Sequence, residues 1–160
     1  MAKIAVAGNW DIGWDYPLRE ANSWNLMMRD FAVQDWSMFP VTGIRHSEWR
    51  EVDLQEYHSM EDILAVKKEY THVYVEPRGD EDLESFVHPE NALYIFGSSN
   101  YRPSLGNRRE EDKSVYIQTV QNKALLWPYH ALAIVLYDRL KKTGPWETPG
   151  QIEKEPWSNL

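Results

Sequence analysis

The sequence predicts an α/β domain with a mostly parallel sheet and helices on both faces. Three observations carry this reading. Short apolar runs rich in β-branched and aromatic residues recur at 3–7 (KIAVA), 71–75 (THVYV) and 92–96 (ALYIF), each too short for a stable helix. Segments with apolar residues at helical spacing lie between and after them. Gly, Pro, Asn and Ser punctuate the junctions, as at Gly97-Ser98-Ser99-Asn100.

Taken in order, Lys3 to Ala7 is the first strand, followed by Gly8, Asn9 and a loop rich in Trp, Asp and Gly; Pro17 is read as stopping anything helical. From about Leu18 to Trp36, Trp24, Met27, Met28, Phe31 and Ala32 recur at three- and four-residue spacing, predicting an amphipathic helix that carries Arg29. Trp36 to Val41 reads as a second strand weakened at its end by Pro40. Arg45 to Tyr57 shows no period and reads as irregular. Ser59 is a helix N-cap with acids in the following turn, and that helix is expected to reach Tyr70. Strand 71–75 follows, then a short acidic helix over 80–86 ending before Pro89, then the buried strand 92–96. A further strand is expected at Val115 to Val120, a turn at Gln121-Asn122-Lys123, and an apolar helix from Ala124 to Lys141. Residues 1–142 therefore form one domain, and 143–160, with three Pro, two Gly and no period, form a tail whose two Trp suggest partial docking.

At 160 residues and 42% hydrophobic content, the chain supports one core and leaves no room for a separate recognition domain. The absence of Cys excludes disulfides, thiolate catalysis and Cys-ligated zinc, and suits a reducing, cytoplasmic setting. No apolar run approaches the roughly 20 residues that span a bilayer, so no membrane partner is expected. A net charge of −8 argues against a DNA-coating protein, because non-specific affinity comes from neutralising phosphates. An RNA partner needs a local basic patch.

Neither a dinucleotide fingerprint nor a phosphate loop is present, and His46, His58, His72, His88 and His130 are scattered, so no metal is expected. Ligands in α/β sheets bind beyond the carboxyl ends of strands, which directs attention to loops 97–107 and 121–126. Arg102, Arg108, Arg109, Lys113 and Lys123 fall in or beside these loops with Asn100 and Tyr101, an arrangement suited to phosphate forks and base stacking. Interrupted by Glu110, Glu111 and Asp112, the same residues equally fit a mixed-charge surface loop.

The segments LYIFGSS and VYIQTVQNKALLWPYHALAIVLYDRL carry a resemblance to SPOUT-class, SpoU-type (TrmH-like) RNA ribose 2′-O-methyltransferases. Phe96-Gly97, Ile117 and Ile134-Val135-Leu136-Tyr137-Asp138 match the family's second and third motifs, and Ser23 to Arg29 answers its first in part. The resemblance covers nearly the whole chain and implies a minimal single-domain member with a C-terminal trefoil knot, obligate homodimers and S-adenosylmethionine as methyl donor. It implies Arg29 as the catalytic residue acting on the ribose hydroxyl. It places the donor against Val75, Glu76, Gly97, Ser98, Ile117, Leu125 and Leu126 and makes the substrate a tRNA or rRNA, for which the basic residues Arg102, Arg108, Arg109 and Lys123 are the candidate contacts. The chain departs from the pattern where Ser99 stands for the family's Glu, Leu125 for its Ser, Trp127 for its Asn and Gln118 for its Pro. These departures raise an alternative, a catalytically silent dimer of the same fold that binds RNA or a protein.

Overall fold

The computed structural model describes residues 2–11, 17–43, 53–98, 100–121 and 126–147. Seven parallel strands form one sheet: β1 (Lys3–Asn9), β2 (Asp35–Phe39), β3 (Asp53–Glu56), β4 (Thr71–Val75), β5 (Glu81–Asp82), β6 (Asn91–Phe96) and β7 (Lys113–Tyr116), in the order β3-β2-β1-β6-β4-β7-β5. Three α-helices, α1 (Pro17–Asp30), α2 (Met60–Val66) and α3 (Pro128–Thr143), and one 3₁₀ turn (Leu83–Ser85) complete the described elements.

Alternation along the strands sends successive side chains to opposite faces and produces two apolar layers. On one face Val6, Val73, Val75, Tyr94 and Phe96 meet Trp24 and Met28 of α1 and Leu132, Val135 and Leu136 of α3. On the other, Ala5, Ala7, Tyr74, Leu93 and Ile95 meet Met60, Ile63 and Leu64 of α2. Helices thus cover both faces, as the sequence predicts. The small residues Ala5 and Ala7 sit on the α2 face, and Gly8 makes room for a tryptophan on the other: a Cβ on it would stand 2.9 Å from the Trp24 ring. Trp24 stacks on Trp36 at 6.4 Å and meets Phe96 edge-on at 6.0 Å, so much of the aromatic content is core.

Several boundaries differ from the sequence-based expectation, each for a local reason. Pro17 opens α1 rather than blocking it, since the first helical residue needs no N–H partner. The helix ends at Asp30, short of Trp36. Ala32 takes φ 55°, the Val33 N–H bonds the Met28 carbonyl and the Ala32 N–H bonds the Arg29 carbonyl, a Schellman-type stop. Residues 53–56 form edge strand β3 within the stretch expected to be irregular; with one neighbour and an alternately exposed pattern, it needs no apolar run. The acidic segment expected to be helical gives the two-residue strand β5 and a single 3₁₀ turn, with the Asp82 carboxylate accepting the Glu84 N–H. Strand β7 starts earlier than predicted because Ser114 is buried and its hydroxyl accepts the Asp80 N–H; it ends at Tyr116, and Val120 is fully exposed. Helix α2 stops at Val66, and the final helix begins at Pro128 rather than 124.

The last turns of α3 are fastened to the start of β6. Buried Arg139 donates to the carbonyls of Pro89 (2.6 Å) and Glu90 (3.0 Å) and to the Tyr94 hydroxyl (2.8 Å). His88 bridges Tyr94 and Asp138, each at 2.7 Å. Trp146 packs into the core beyond the helix, and the Glu147 N–H bonds the Ala2 carbonyl at 2.9 Å. The remainder of the tail lies outside the described residues. No helix among the described residues is long and apolar enough to cross a membrane.

Candidate functional site

Where β4, β6 and β7 end, they leave a cavity of about 650 Å³ roofed by the first turn of α3. Its apolar wall comes from Val75, Phe96, Ile117, Leu126 and Ala131, and its polar rim includes Asp11, Glu76, Arg78 and Arg102. The size is that of a drug-sized ligand site, and the mixture of an apolar slot with a few polar groups is typical of one.

The shape depends on Gly97. The chain reverses immediately after β6, with the Ser98 N–H bonding the Tyr101 carbonyl and the Tyr101 N–H bonding the Ser98 carbonyl (3.0 and 3.3 Å). A Cβ on residue 97 would stand 2.1 Å from the Tyr101 carbonyl oxygen, so only glycine permits this turn. Tyr101 then lies edge-on to Phe39 at 5.3 Å, and burial pushes its hydroxyl pKa up. Asn9, at the end of β1, donates to the Ser98 hydroxyl at 3.1 Å, which ties the turn to the neighbouring strand.

Glu76 supplies the cavity's buried charge. Its Oε2 accepts from Arg102 Nε at 2.7 Å and from the Ser104 hydroxyl at 2.8 Å, while Oε1, also buried, has no partner. A buried carboxylate oxygen without a donor is costly unless a ligand or water satisfies it. Above Tyr74 and His72 on the same face of β4, Asp112 is buried and held by Arg109 through Nε (3.0 Å) and the terminal nitrogen (2.8 Å). Burial raises the Tyr74 hydroxyl pKa and lowers that of His72, so both are neutral at pH 7.

The structure brings Val75, Glu76, Gly97, Ser98, Ile117 and Leu126 to one cavity. Leu125 lies outside the described residues, as do Ser99 and Lys123. Of the cations assigned to RNA, Arg102 is at the cavity and bound to Glu76; Arg108 pairs with Asp80 at 2.6 Å; Arg109 is committed to Asp112 and Glu111. Arg29 is not among the lining residues. The first turn of α1 is the one that meets the site, through the Glu20 carboxylate, which accepts the Asp11 N–H at 3.0 and 2.8 Å. Arg29 lies in the last turn, about 14 Å further along the axis at 1.5 Å per residue, so within one chain it points to the opposite end of the sheet. The parallel order forces this, since a helix following β1 must run back down the sheet.

Asp11, Arg78, Leu105 and Trp127 also line the cavity without having been picked out as ligand contacts from the sequence. The strand-end rule reaches Asp11 and Arg78, which follow β1 and β4 by a few residues. Nothing local marks Leu105, which folds back from the turn after β6. Trp127 precedes α3 and stacks on Tyr129 at 6.0 Å, with ring planes 24° apart. No group of three His, Asp or Glu among the described residues is placed to hold a metal ion.

At the level of sequence, no protein-family model and no curated protein matches the chain. Solved structures match it throughout. A candidate RNA methyltransferase from Bacillus anthracis superposes with a TM-score of 0.71 at 13% identity, over 95% of this chain and 99% of that one. The SpoU methyltransferase AviRb from Streptomyces viridochromogenes, in complex with AdoMet, gives 0.68 at 14% identity over 88% of this chain; the match spans 57% of AviRb. A structure described for 2-OH methylation of C/U34 on tRNA gives 0.68 at 14% identity, over 88% and 95%. The chain has the fold of SpoU/TrmH-type RNA methyltransferases.

Proposed function

We propose that this chain is an S-adenosylmethionine-dependent methyltransferase acting on a ribose 2′-hydroxyl of tRNA or rRNA. In this reading it works as a homodimer with a C-terminal trefoil knot. The carrying observation is that the positions assigned to the methyl donor by motif resemblance, Val75, Glu76, Gly97, Ser98, Ile117 and Leu126, converge on one cavity in a SpoU-type fold. The apolar slot suits an adenine ring, and the unpartnered Glu76 Oε1 suits a hydroxyl or ammonium donor. When bound, the donor supplies an activated methyl group. This chain's residues hold it, keep water from it and orient the acceptor.

The homodimer is supported by α3, whose Ile134, Tyr137 and Leu140 share one face and are 40%, 56% and 37% exposed, and by the half-exposed Leu26 of α1. Arg29 enters this reading only if a partner copy brings its helix end to the cavity. The alternative, a silent dimer of the same fold, draws support from Trp127, a large ring on the cavity wall where the family carries Asn.

Calorimetric titration with S-adenosylmethionine and S-adenosylhomocysteine separates the two readings. One saturable site per chain is expected, followed by transfer of labelled methyl from S-adenosylmethionine into alkali-resistant dinucleotides of total tRNA and rRNA, since a 2′-O-methyl group protects the adjacent phosphodiester. No binding up to millimolar ligand removes the methyltransferase reading.

A further inference from the structure

We propose that Asp11 is the proton acceptor for the hydroxyl that receives the methyl group, an assignment that rests on the methyltransferase reading above. A ribose hydroxyl is far too weakly acidic to be ionised at neutral pH, so a positioned base must take its proton as the new bond forms. Arg29 lies at the wrong end of α1 within one chain, and a guanidinium remains protonated in proteins. Among the described residues that line the cavity, the carboxylates are Asp11 and Glu76.

Glu76 is unsuited. Its side chain is 3% exposed, and one oxygen is already occupied by both Arg102 and Ser104, so it is held away from an incoming hydroxyl. Asp11 differs in each respect. It is half-buried, and its carboxylate has no partner among the described residues. Its backbone is nonetheless fixed, because both oxygens of buried Glu20 accept its N–H, and Glu20 also receives Trp24 Nε1 at 3.4 Å. Restraint of the main chain with a free carboxylate is what a preorganised base requires.

The strand order gives the direction. β6 separates β1 from β4 and β7, so the apolar wall of Val75 and Ile117 stands on one side of the cavity and Asp11 on the other. A donor seated on that wall leaves the Asp11 side for the acceptor ribose. In the step, the hydroxyl oxygen bonds the methyl carbon and the carbon–sulfur bond breaks with its electron pair going to sulfur. The hydroxyl proton passes to an Asp11 carboxylate oxygen, and S-adenosylhomocysteine and a 2′-O-methyl ribose leave. Asp11 then returns the proton to solvent.

The test compares the full-length protein with Asp11→Asn and Asp11→Glu, using S-adenosylhomocysteine in calorimetry and radiolabelled methyl transfer from S-adenosylmethionine to total tRNA and rRNA. Asp11→Asn is expected to bind S-adenosylhomocysteine within twofold of the parent and to transfer methyl about 100-fold or more slowly, the usual size of a lost general base. Asp11→Glu, which keeps a carboxylate, should retain part of the rate. Transfer by Asp11→Asn within threefold of wild type overturns the assignment. Loss of S-adenosylhomocysteine binding in Asp11→Asn overturns it too, because Asp11 would then hold the donor or the fold. A wild-type protein that binds the ligand but methylates no RNA removes the methyltransferase reading itself, and this one with it.

Discussion

The two ends of the sheet differ in how densely their buried polar groups are bonded. At the amino ends of the strands, His88, Tyr94, Asp138, Arg139 and Lys142 form a densely bonded network that ties α3 to the segment before β6, although the buried Arg139 Nε has no partner. At the carboxyl ends, Glu76 keeps a buried oxygen without a donor, and the Asp11 carboxylate has no partner among the described residues. The same helix serves both, since its first turn roofs the cavity and its last turns carry Asp138, Arg139 and Lys142. Densely bonded polar networks rigidify a fold, whereas sparsely bonded ones leave interaction energy for something that arrives later. One end therefore holds the roof in place so that the other can remain incomplete.

The largest effect on this contrast should come from Arg139→Ala. The change empties the space of a buried side chain, strands the buried Tyr94 hydroxyl and takes the donor from the part-buried carbonyls of Pro89 and Glu90, and should cost about 3 kcal/mol or more in a urea unfolding curve. If stability is untouched, the network is ornamental and the contrast fails. A smaller loss of stability, about 1–3 kcal/mol, is expected for Gly97→Ala, because the new Cβ collides with the Tyr101 carbonyl and must push the turn aside. The two variants should differ in ligand response. Calorimetry with S-adenosylhomocysteine should show at least tenfold weaker binding for Gly97→Ala, while Arg139→Ala should bind normally at temperatures where it is folded.

The smallest effect concerns pH. Burial lowers the His88 pKa in spite of the favourable Asp138 carboxylate, and Arg139 and Lys142 add to the lowering. The unfolded chain, with an ordinary imidazole near 6.5, therefore binds more protons than the folded one below that pH. Stability is full above about pH 6.5 and falls as the pH drops through the folded-state value. His72, buried on the other face, adds a contribution of the same sign. Urea midpoints between pH 8 and pH 5 should decline in the wild type and decline less in His88→Gln.

The sequence points toward the cavity where its signals are local. Phe96-Gly97-Ser98 is a strand end followed by a compulsory glycine turn, and both signals lie within a few residues. Ile117 and Leu126 fell on the cavity because they flank a strand end and a helix start. Arg29 shows the limit. Its spacing fits a motif, yet only the direction of α1 relative to β1 reveals that its end of the helix leads away from the cavity.

By itself the sequence determined the central strands β1, β4 and β6, the alternation with helices and the turn after Phe96. These follow from residue shape, apolar runs and backbone freedom over short spans. Tertiary structure decided the rest: polar β3 becomes a strand because β2 offers it an edge, and the acids at 81–82 pair with β7 instead of forming a helix. It also decided which charges remain available, since Arg102 meets Glu76 across 26 positions and Arg108 meets Asp80 across the sheet's far edge. An ion pair is set by distance in space, and no local propensity in a chain specifies which distant residue will lie 3 Å away.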